Sequence, residues 1–513
     1  MAKKLQISLL LFLLLCGLAN AQREGDSFAI GYCHYMYSHG CIEPYGSSIY
    51  TFDENGIDTI IEPAGLNLNT DYSRATFSDN TTGELIFASN GWRLVNRSGE
   101  VLSYKLWRSD LEAPNTSNDT ANLLYTQNPL FLPDPGDSTK AYLFYGQYRS
   151  ANLFGTGNRW CDVLFTYAYL DIPSQSLISQ GNVVITDTTG IGGLAAVRHG
   201  NGRDWWIVKP GRFQDEYYMG LLDPTGVRFE KKTIAEVEHL EQGRPCSYFS
   251  KDGDIFVHFT GSALCNIHRY SFDRCDGSFS NYEIHTVRDS VWSGDWMAPA
   301  LSGDGSKFYF RRSSFPFGTS GAGGFYQLDF ETEQIHKLSI FNFGSQILSN
   351  FNQIIQGSVV YNQAGDSVYM VYNLISLPDS AGLACQYELN VDTVLNVPNF
   401  IAPSAMVNFR LGKLAGSSCD TVVIKPPAPK PDNLLVFPNP TQGLLQITLP
   451  NDTSAYTATL FSLTGQRLYR AELLGAQHSL NLSMLNIAHG LYFLTLEAVN
   501  TGDQRTFKVM YTQ

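Results

Sequence analysis

The sequence predicts an all-β protein: a β-propeller over residues 22–421, with seven blades favoured and six left open, followed by a small immunoglobulin-like β-sandwich over 434–513. Three observations carry this expectation. Short alternating runs rich in Tyr, Phe, Val and Ile, bounded by Gly, Asp and Asn, fill the chain from Gln22 to about Thr421 with almost no helical period. One turn-and-strand signature recurs at a near-constant spacing. A Pro-rich break over 422–433, containing PPAPKP, then separates this region from about 80 residues with a new rhythm of short strands.

The first element is a leader. Lys3 and Lys4 precede an unbroken apolar run that ends in Ala19-Asn20-Ala21, which predicts a signal peptide over 1–21 cleaved before Gln22. Lipidation at Cys16 is the competing reading, and Leu15 argues against it, because a small residue is wanted there. No later stretch approaches about 18 consecutive apolar residues, so no transmembrane segment is expected and the mature protein is expected to be soluble.

The second element is the repeat. The segments FSDNTTGELIFASNG, DSTKAYLFYG, NGRDWWIVKP, FSKDGDIFVHF, LSGDGSKFYF and NQAGDSVYMVY each set a turn before an aromatic strand. Their aspartates, Asp79, Asp137, Asp204, Asp252, Asp304 and Asp366, are 58, 67, 48, 52 and 62 residues apart, near the length of a four-stranded blade with its loops. Further hairpins fit between the marks, as in FTYAYLDIPSQSLIS, YMGLLDPTGVRF, HRYSFDRCDGSFS and FYQLDFETEQIHKLS. Six marks are visible, and 25–64 is the stretch available to supply or close a further blade. One or two large β-sandwiches form the competing architecture; sandwiches do not normally repeat one hairpin signature six times.

Composition narrows the partners. A net charge of −13 without clustered Lys and Arg excludes nucleic acid. Of nine cysteines, eight follow the leader, an even number in a chain bound for an oxidising compartment. Cys33 and Cys41 bracket a short loop, and Cys265 and Cys275 have a spacing suited to stapling a hairpin; the remaining pairing is not fixed by spacing. Cys33 to Cys41 also encloses His34 and His39, a set that a metal would accept, but the oxidising compartment favours the disulfide, and no C-x-x-C pair occurs. No metal or cofactor is therefore implied.

No catalytic motif is present either: G-x-S-x-G, H-E-x-x-H and the Walker sequence are all missing, so no catalytic residue is assigned. The candidate binding mouth is His199, Arg203, Asp204, Trp205 and Trp206. Its competing reading is an ordinary blade strand, since adjacent strand residues face opposite ways and one Trp then belongs to the core. The tripeptide Asp-Ser/Thr-small or aliphatic recurs at Asp58, Asp119, Asp137, Asp187, Asp289, Asp366, Asp379, Asp392 and Asp420, and suits strand-flanking turns.

Two resemblances add to this reading. Phe437-Pro438-Asn439-Pro440-Thr441 with Gly443, the Leu463-Thr464-Gly465 turn, Leu482 to Leu485, His489-Gly490-Leu491-Tyr492-Phe493 and the terminal strand Thr506 to Tyr511 resemble the type A sorting domain of the type IX secretion system of Gram-negative bacteria. The resemblance implies recognition by an outer-membrane translocon, removal of the domain, and a protein that crosses the periplasm to be secreted or held at the cell surface. It also implies that the Asp-Ser/Thr tripeptides resemble periplasmic O-glycosylation acceptors and that six N-x-S/T sequons are irrelevant.

The cargo resembles secreted propeller-like proteins with this tail, through Ala64-Gly65-Leu66-Asn67-Leu68, Ser78-Asp79 with Gly83 to Phe87, His199 to Trp206, Phe272 to Gly277, and Val397-Pro398-Asn399-Phe400 followed by Arg410-Leu411-Gly412. That group implies fold and compartment but no reaction. The expected function is a secreted binding protein for an extracellular glycan, peptide or matrix partner; the alternative is a hydrolase or lyase on the same scaffold.

Overall fold

The computed structural model describes residues 27–32, 46–53, 56–61, 66, 68, 74–106, 127–151, 159–238, 244–261, 264–288, 299–312, 324–339, 346–349, 353–361, 368–395, 408–420, 435–449, 455–462, 466–475, 477–485, 487–499 and 504–512. The chain divides into two compact units, Met1–Val422 and Val423–Gln513.

In the first unit the described residues form antiparallel sheets in strict chain order: sheet 1 (27–61), sheet 2 (75–103), sheet 3 (130–185), sheet 4 (195–233), sheet 5 (244–288), sheet 6 (300–339) and sheet 7 (346–395). Sheet 1 has three strands and the others four, and every sheet is an up-and-down meander in which neighbours in space are neighbours in sequence. The stretch expected to supply or close a further blade thus makes a sheet of its own.

First strands of successive sheets lie against one another in the pairs 1–2, 2–3, 4–5, 5–6 and 6–7, and fourth strands do so in the pairs 2–3 and 3–4. Burial falls off from first strand to last. In sheet 4, Ala195–Arg198 is buried throughout, Trp205–Pro210 and Glu216–Asp223 are mostly buried, and Gly226–Thr233 is largely exposed. Sheets standing face to face around their first strands, with the less buried fourth strands outermost, make a β-propeller. The apolar side chains between adjacent sheets form its core, for example Phe165, Leu194, Trp205 and Tyr218 between sheets 3 and 4.

A meander puts its first-to-second and third-to-fourth turns at one end, here called the turn end, and its other connections at the opposite, crossover end. Turns of adjacent sheets meet at the turn end. The Gly200 N–H donates to the Arg274 carbonyl (2.7 Å) and that of Lys251 to the Gly303 carbonyl (2.8 Å).

Aspartates cap these turns, as the repeat implies. Asp79 Oδ1 accepts from the Thr81 and Thr82 N–H groups, Asp137 Oδ1 from Thr139, Asp223 Oδ1 from Thr225, and Asp304 Oδ1 from Ser306. Asp79, Asp137, Asp204, Asp252 and Asp304 all sit between the first and second strands of their sheets. Asp366 does not: it lies outside the described residues, between the second and third strands of sheet 7, so it marks the crossover end.

One cysteine expectation is corrected. Cys275 is bonded to Cys419, not to Cys265. Cys265 is the second residue of the strand Leu264–Phe272, and Cys275 lies in the turn beyond that strand's other end. The strand alone carries the chain roughly 23 Å from Cys265 to Phe272, so Cys275 in the turn beyond is far out of a disulfide's reach. Cys33 and Cys41 lie outside the described residues, and Cys161, Cys246 and Cys385 are buried thiols.

The second unit is a sandwich of a three-stranded sheet (Leu435–Phe437, Leu444–Thr448, Gln477–Asn481) and a four-stranded sheet in the order Arg467–Leu473, Tyr456–Phe461, Gly490–Ala498, Gln504–Tyr511. Alternation places Leu445, Ile447, Leu460, Leu480, Leu494, Leu496 and Val509 in one core between them.

Candidate functional site

The stretch from His199 to Trp206 is the turn from the first to the second strand of sheet 4, with the start of the second strand. Asn201 organises it. Its Oδ1 accepts from the N–H groups of Arg203 (2.9 Å) and Asp204 (3.0 Å), and its Nδ2 donates to Asp204 Oδ2 (2.7 Å). Arg203 completes the arrangement by gripping Asp204 with Nε (2.7 Å) and Nη2 (3.1 Å). The carboxylate is therefore spent on its own turn.

The two tryptophans part as strand geometry requires. Trp205 is fully buried, under the Arg198 guanidinium at 4.2 Å, and Trp206 is half-buried, stacked on His199 with ring centroids 5.5 Å apart. Trp206 Nε1 donates to the Arg274 carbonyl (2.9 Å), and its ring lies on Gly277, whose φ is +73°. Burial holds the His199 imidazole below its ordinary pKa, against the pull of Asp204.

The five residues expected to form a mouth are together, but they form a clasp. Arg274, in the third-to-fourth turn of sheet 5, donates from Nε to the Arg198 carbonyl (2.8 Å) and from Nη2 to the Gly412 carbonyl (2.6 Å). Burial lowers its pKa to about 10. Three of the stretches that resemble the secreted group, around 199–206, 272–277 and 410–412, thus converge on one guanidinium. Their spacing in sequence gives no sign of this contact.

The described residues hold further polar groups in the interior. Lys209 and Asp162, both fully buried, pair at 2.6 Å, and Lys209 Nζ also donates to the Gly190 (2.7 Å) and Gly192 (3.1 Å) carbonyls. His258 and His268 face each other across adjacent strands of sheet 5, with ring centroids 5.9 Å apart. The Ser247 hydroxyl meets His258 Nδ1 (3.0 Å), and the Tyr282 hydroxyl meets His268 Nδ1 (3.1 Å).

Asp304 and Asp379 meet where turns of sheets 6 and 7 touch, the Asp304 N–H donating to Asp379 Oδ1 (3.0 Å). Burial pushes the Asp379 carboxyl up. It acts on Asp304 too, but there the Ser306 and Ser302 donors outweigh it and hold that carboxyl down. No cluster of three or more His, Cys, Asp or Glu fit for a metal occurs among the described residues.

In the second unit the motif residues build one edge. The Gln504–Tyr511 strand is outermost in its sheet, and Asn439, between Pro438 and Pro440, lies along it. Asn439 Nδ2 donates to the Lys508 carbonyl (2.5 Å) and its Oδ1 accepts from the Met510 N–H (2.9 Å). Thr441 continues the ladder in backbone, donating to Met510 O (2.9 Å) and accepting from Thr512 N–H (2.8 Å).

Gly443 has φ +137°, and a Cβ there would lie 2.3 Å from Ser483 Oγ. The Tyr492 hydroxyl donates to the Ala488 carbonyl, fixing the corner before the strand that Gly490 opens and pairs with Tyr511. Gly465 lies outside the described residues.

Residues 435–510 match the family described as the secretion system C-terminal sorting domain. No curated protein matches this chain. Among solved structures it is similar to a putative 6-phosphogluconolactonase from Bacteroides uniformis ATCC 8492 (12% identity, 72% of this chain and 96% of that one, TM-score 0.41). It is similar also to Kuenenia stuttgartiensis hydrazine synthase (13% identity, 67% and 89%, TM-score 0.34). A third is the β-propeller domain of the Trilobed protease from Pyrococcus furiosus (8% identity, 74% and 95%, TM-score 0.27).

Proposed function

We propose that this type IX secretion cargo is an extracellular binding protein whose propeller presents its crossover end to a glycan, peptide or matrix partner. The tail marks the protein for export to the outside or the cell surface and for contact with the secretion machinery. We read residues 1–21 as a leader removed on the way to the periplasm, 22–421 as the cargo with each sheet one blade, 422–433 as a linker, and 434–513 as the sorting domain.

One observation carries the choice of face. The turn-end connections 79–84, 199–204, 224–225 and 302–306 are short and held by their own side chains, with 33–45 and 376–386 the longer ones at that end, whereas the crossover end carries the longest connection between sheets, 104–129, together with 289–299 and 313–323. Length not needed to join strands is where recognition is placed on a rigid scaffold. The described part of that end includes Arg212, whose guanidinium lies 5.3 Å over the ring of Phe213.

A glycan-array and matrix-protein binding screen on the secreted protein tests the reading. Binding lost in Arg212→Ala/Phe213→Ala but kept in Arg203→Ala at the turn end supports it, and the reverse pattern refutes it. The hydrolase or lyase reading draws on the Asp304–Asp379 pair; polysaccharide cleavage that disappears in Asp379→Asn, with folding unchanged, would favour it.

A further inference from the structure

Residues 408–420 follow the last sheet of the propeller and make no strand of their own. Among the described residues, their polar and ring-to-ring anchors lie on sheets 2, 4 and 5. Phe409 is buried, with its ring centroid 5.5 Å from that of Trp205 in sheet 4 and 6.4 Å from that of Phe77 in sheet 2, both edge-on. The Phe409 carbonyl accepts from Arg198 Nη2 (3.1 Å), Asn408 Nδ2 donates to the Lys251 carbonyl (2.7 Å), and the Leu414 N–H donates to the Gly200 carbonyl (2.8 Å). Leu411 packs into the core shared by sheets 4 and 5. Cys419 then reaches Cys275, 144 residues earlier.

The glycines of the His199–Trp206 turn fit this contact. A Cβ on Gly200 would stand 2.4 Å from Cys419 Sγ and 2.9 Å from Cys275 Sγ, and a Cβ on Gly202 would stand 2.7 Å from the Lys413 nitrogen. Gly202 also has φ +75°. The turn is pared down where the segment and its disulfide lie on it.

We propose that residues 408–420 are a redox-latched strap that crosses the turn end of the propeller, with Phe409 as its plug and Cys275–Cys419 as its latch. Latching forms one S–S bond from two thiols. Their two electrons and two protons pass to a disulfide oxidant, which leaves as a dithiol. Arg410, Gly412, Lys413, Ala415, Gly416 and Ser418 are exposed, so a buried ring, two partly buried leucines and a few hydrogen bonds hold thirteen residues. The covalent tie decides whether the strap stays down, because it removes the freedom of a long loop from the released state.

Arg410 and Lys413 are exposed trypsin sites within the strap, so release is read directly as cleavage there. The full chain is digested briefly under native conditions, oxidised and after treatment with dithiothreitol, and hydrogen exchange is followed in parallel. Reduction is expected to speed cleavage at Arg410 and Lys413 by at least about tenfold and to deprotect the Gly200 and Leu414 amides, while amides of sheet 3 keep their protection.

Cys419→Ser is expected to behave as the reduced protein. Gly200→Ala, with both thiols intact, is expected to leave the Cys275–Cys419 peptide largely unlinked in a non-reducing digest. The proposal is overturned by equal cleavage and exchange in the oxidised and reduced chains, by Cys419→Ser retaining full protection, or by a digest that pairs Cys275 with another cysteine. Reducing the folded chain supplies the comparison if Cys419→Ser fails to accumulate.

Discussion

Arg274 shows how much of this fold rests on single side chains. It is almost wholly buried, no carboxylate among the described residues lies within hydrogen-bonding distance of it, and its donors end on backbone carbonyls of three segments, including those of Arg198, Asp252 and Gly412. Removing the charged donor takes from these carbonyls the one buried partner they share, so Arg274→Met is expected to cost about 3 kcal/mol or more. Urea denaturation of the cargo measures this, and a loss under about 1 kcal/mol would contradict the role given to the residue.

His258 and His268 predict a pH dependence. Burial lowers the pKa of His268 to about 4 and that of His258 well below its usual value. Both are neutral in the folded protein at pH 7, whereas in the unfolded chain they take up protons as the pH falls below about 6.5. Stability is therefore flat above that value with respect to this pair, falls as the pH drops below it, and for His268 levels off near pH 4. The His268 contribution is about 3 kcal/mol across the window. His268→Gln is expected to flatten the fall in melting temperature between pH 6.5 and pH 4.

At the scale of elements, the hairpins are what the sequence shows best. The turns at Asp79, Asp137 and Asp304 are local events, capped by the aspartate's own oxygen, so their residues announce them without knowledge of the rest of the chain. What failed was reading that needs distance. The spacing of Cys265 and Cys275 looked like a staple because a strand and a hairpin of ten residues cannot be told apart from spacing alone. The Asp366 signature fell one connection late, between the second and third strands of sheet 7, because such a signature does not say which two strands it joins.

The sorting edge belongs to this scale as well. Two prolines cannot donate to a ladder, and Asn439 between them presents an amide that mimics one. Asn439→Ala is expected to speed exchange at the Met510 amide and to cost the sandwich about 1–2 kcal/mol, lowering export yield in step. Unchanged exchange at Met510 would refute the capping role.

For the whole molecule, the sequence displayed the two units and the repeat, because both are written as periodicity and as a break in composition. It did not display the clasp. The partners of Trp206 and Gly200 lie in another sheet and in the segment after the last sheet, and nothing local to His199–Trp206 distinguishes a ligand mouth from a packing joint. Aromatic rings, an arginine and glycines serve both. Removing residues 434–513 is expected to leave the cargo folded and retained in the periplasm; recovery of the truncated protein in the medium at normal yield would refute the sorting assignment.

The position of the latch sets a timetable. A chain emerging from its amino end displays Cys275 long before Cys419, and the tail follows Cys419 after a short interval. Every sheet of the propeller has been delivered by then, so both cysteines of the latch are present just ahead of the sorting domain's own completion. A chain delivered in that order finishes its load before its label is complete.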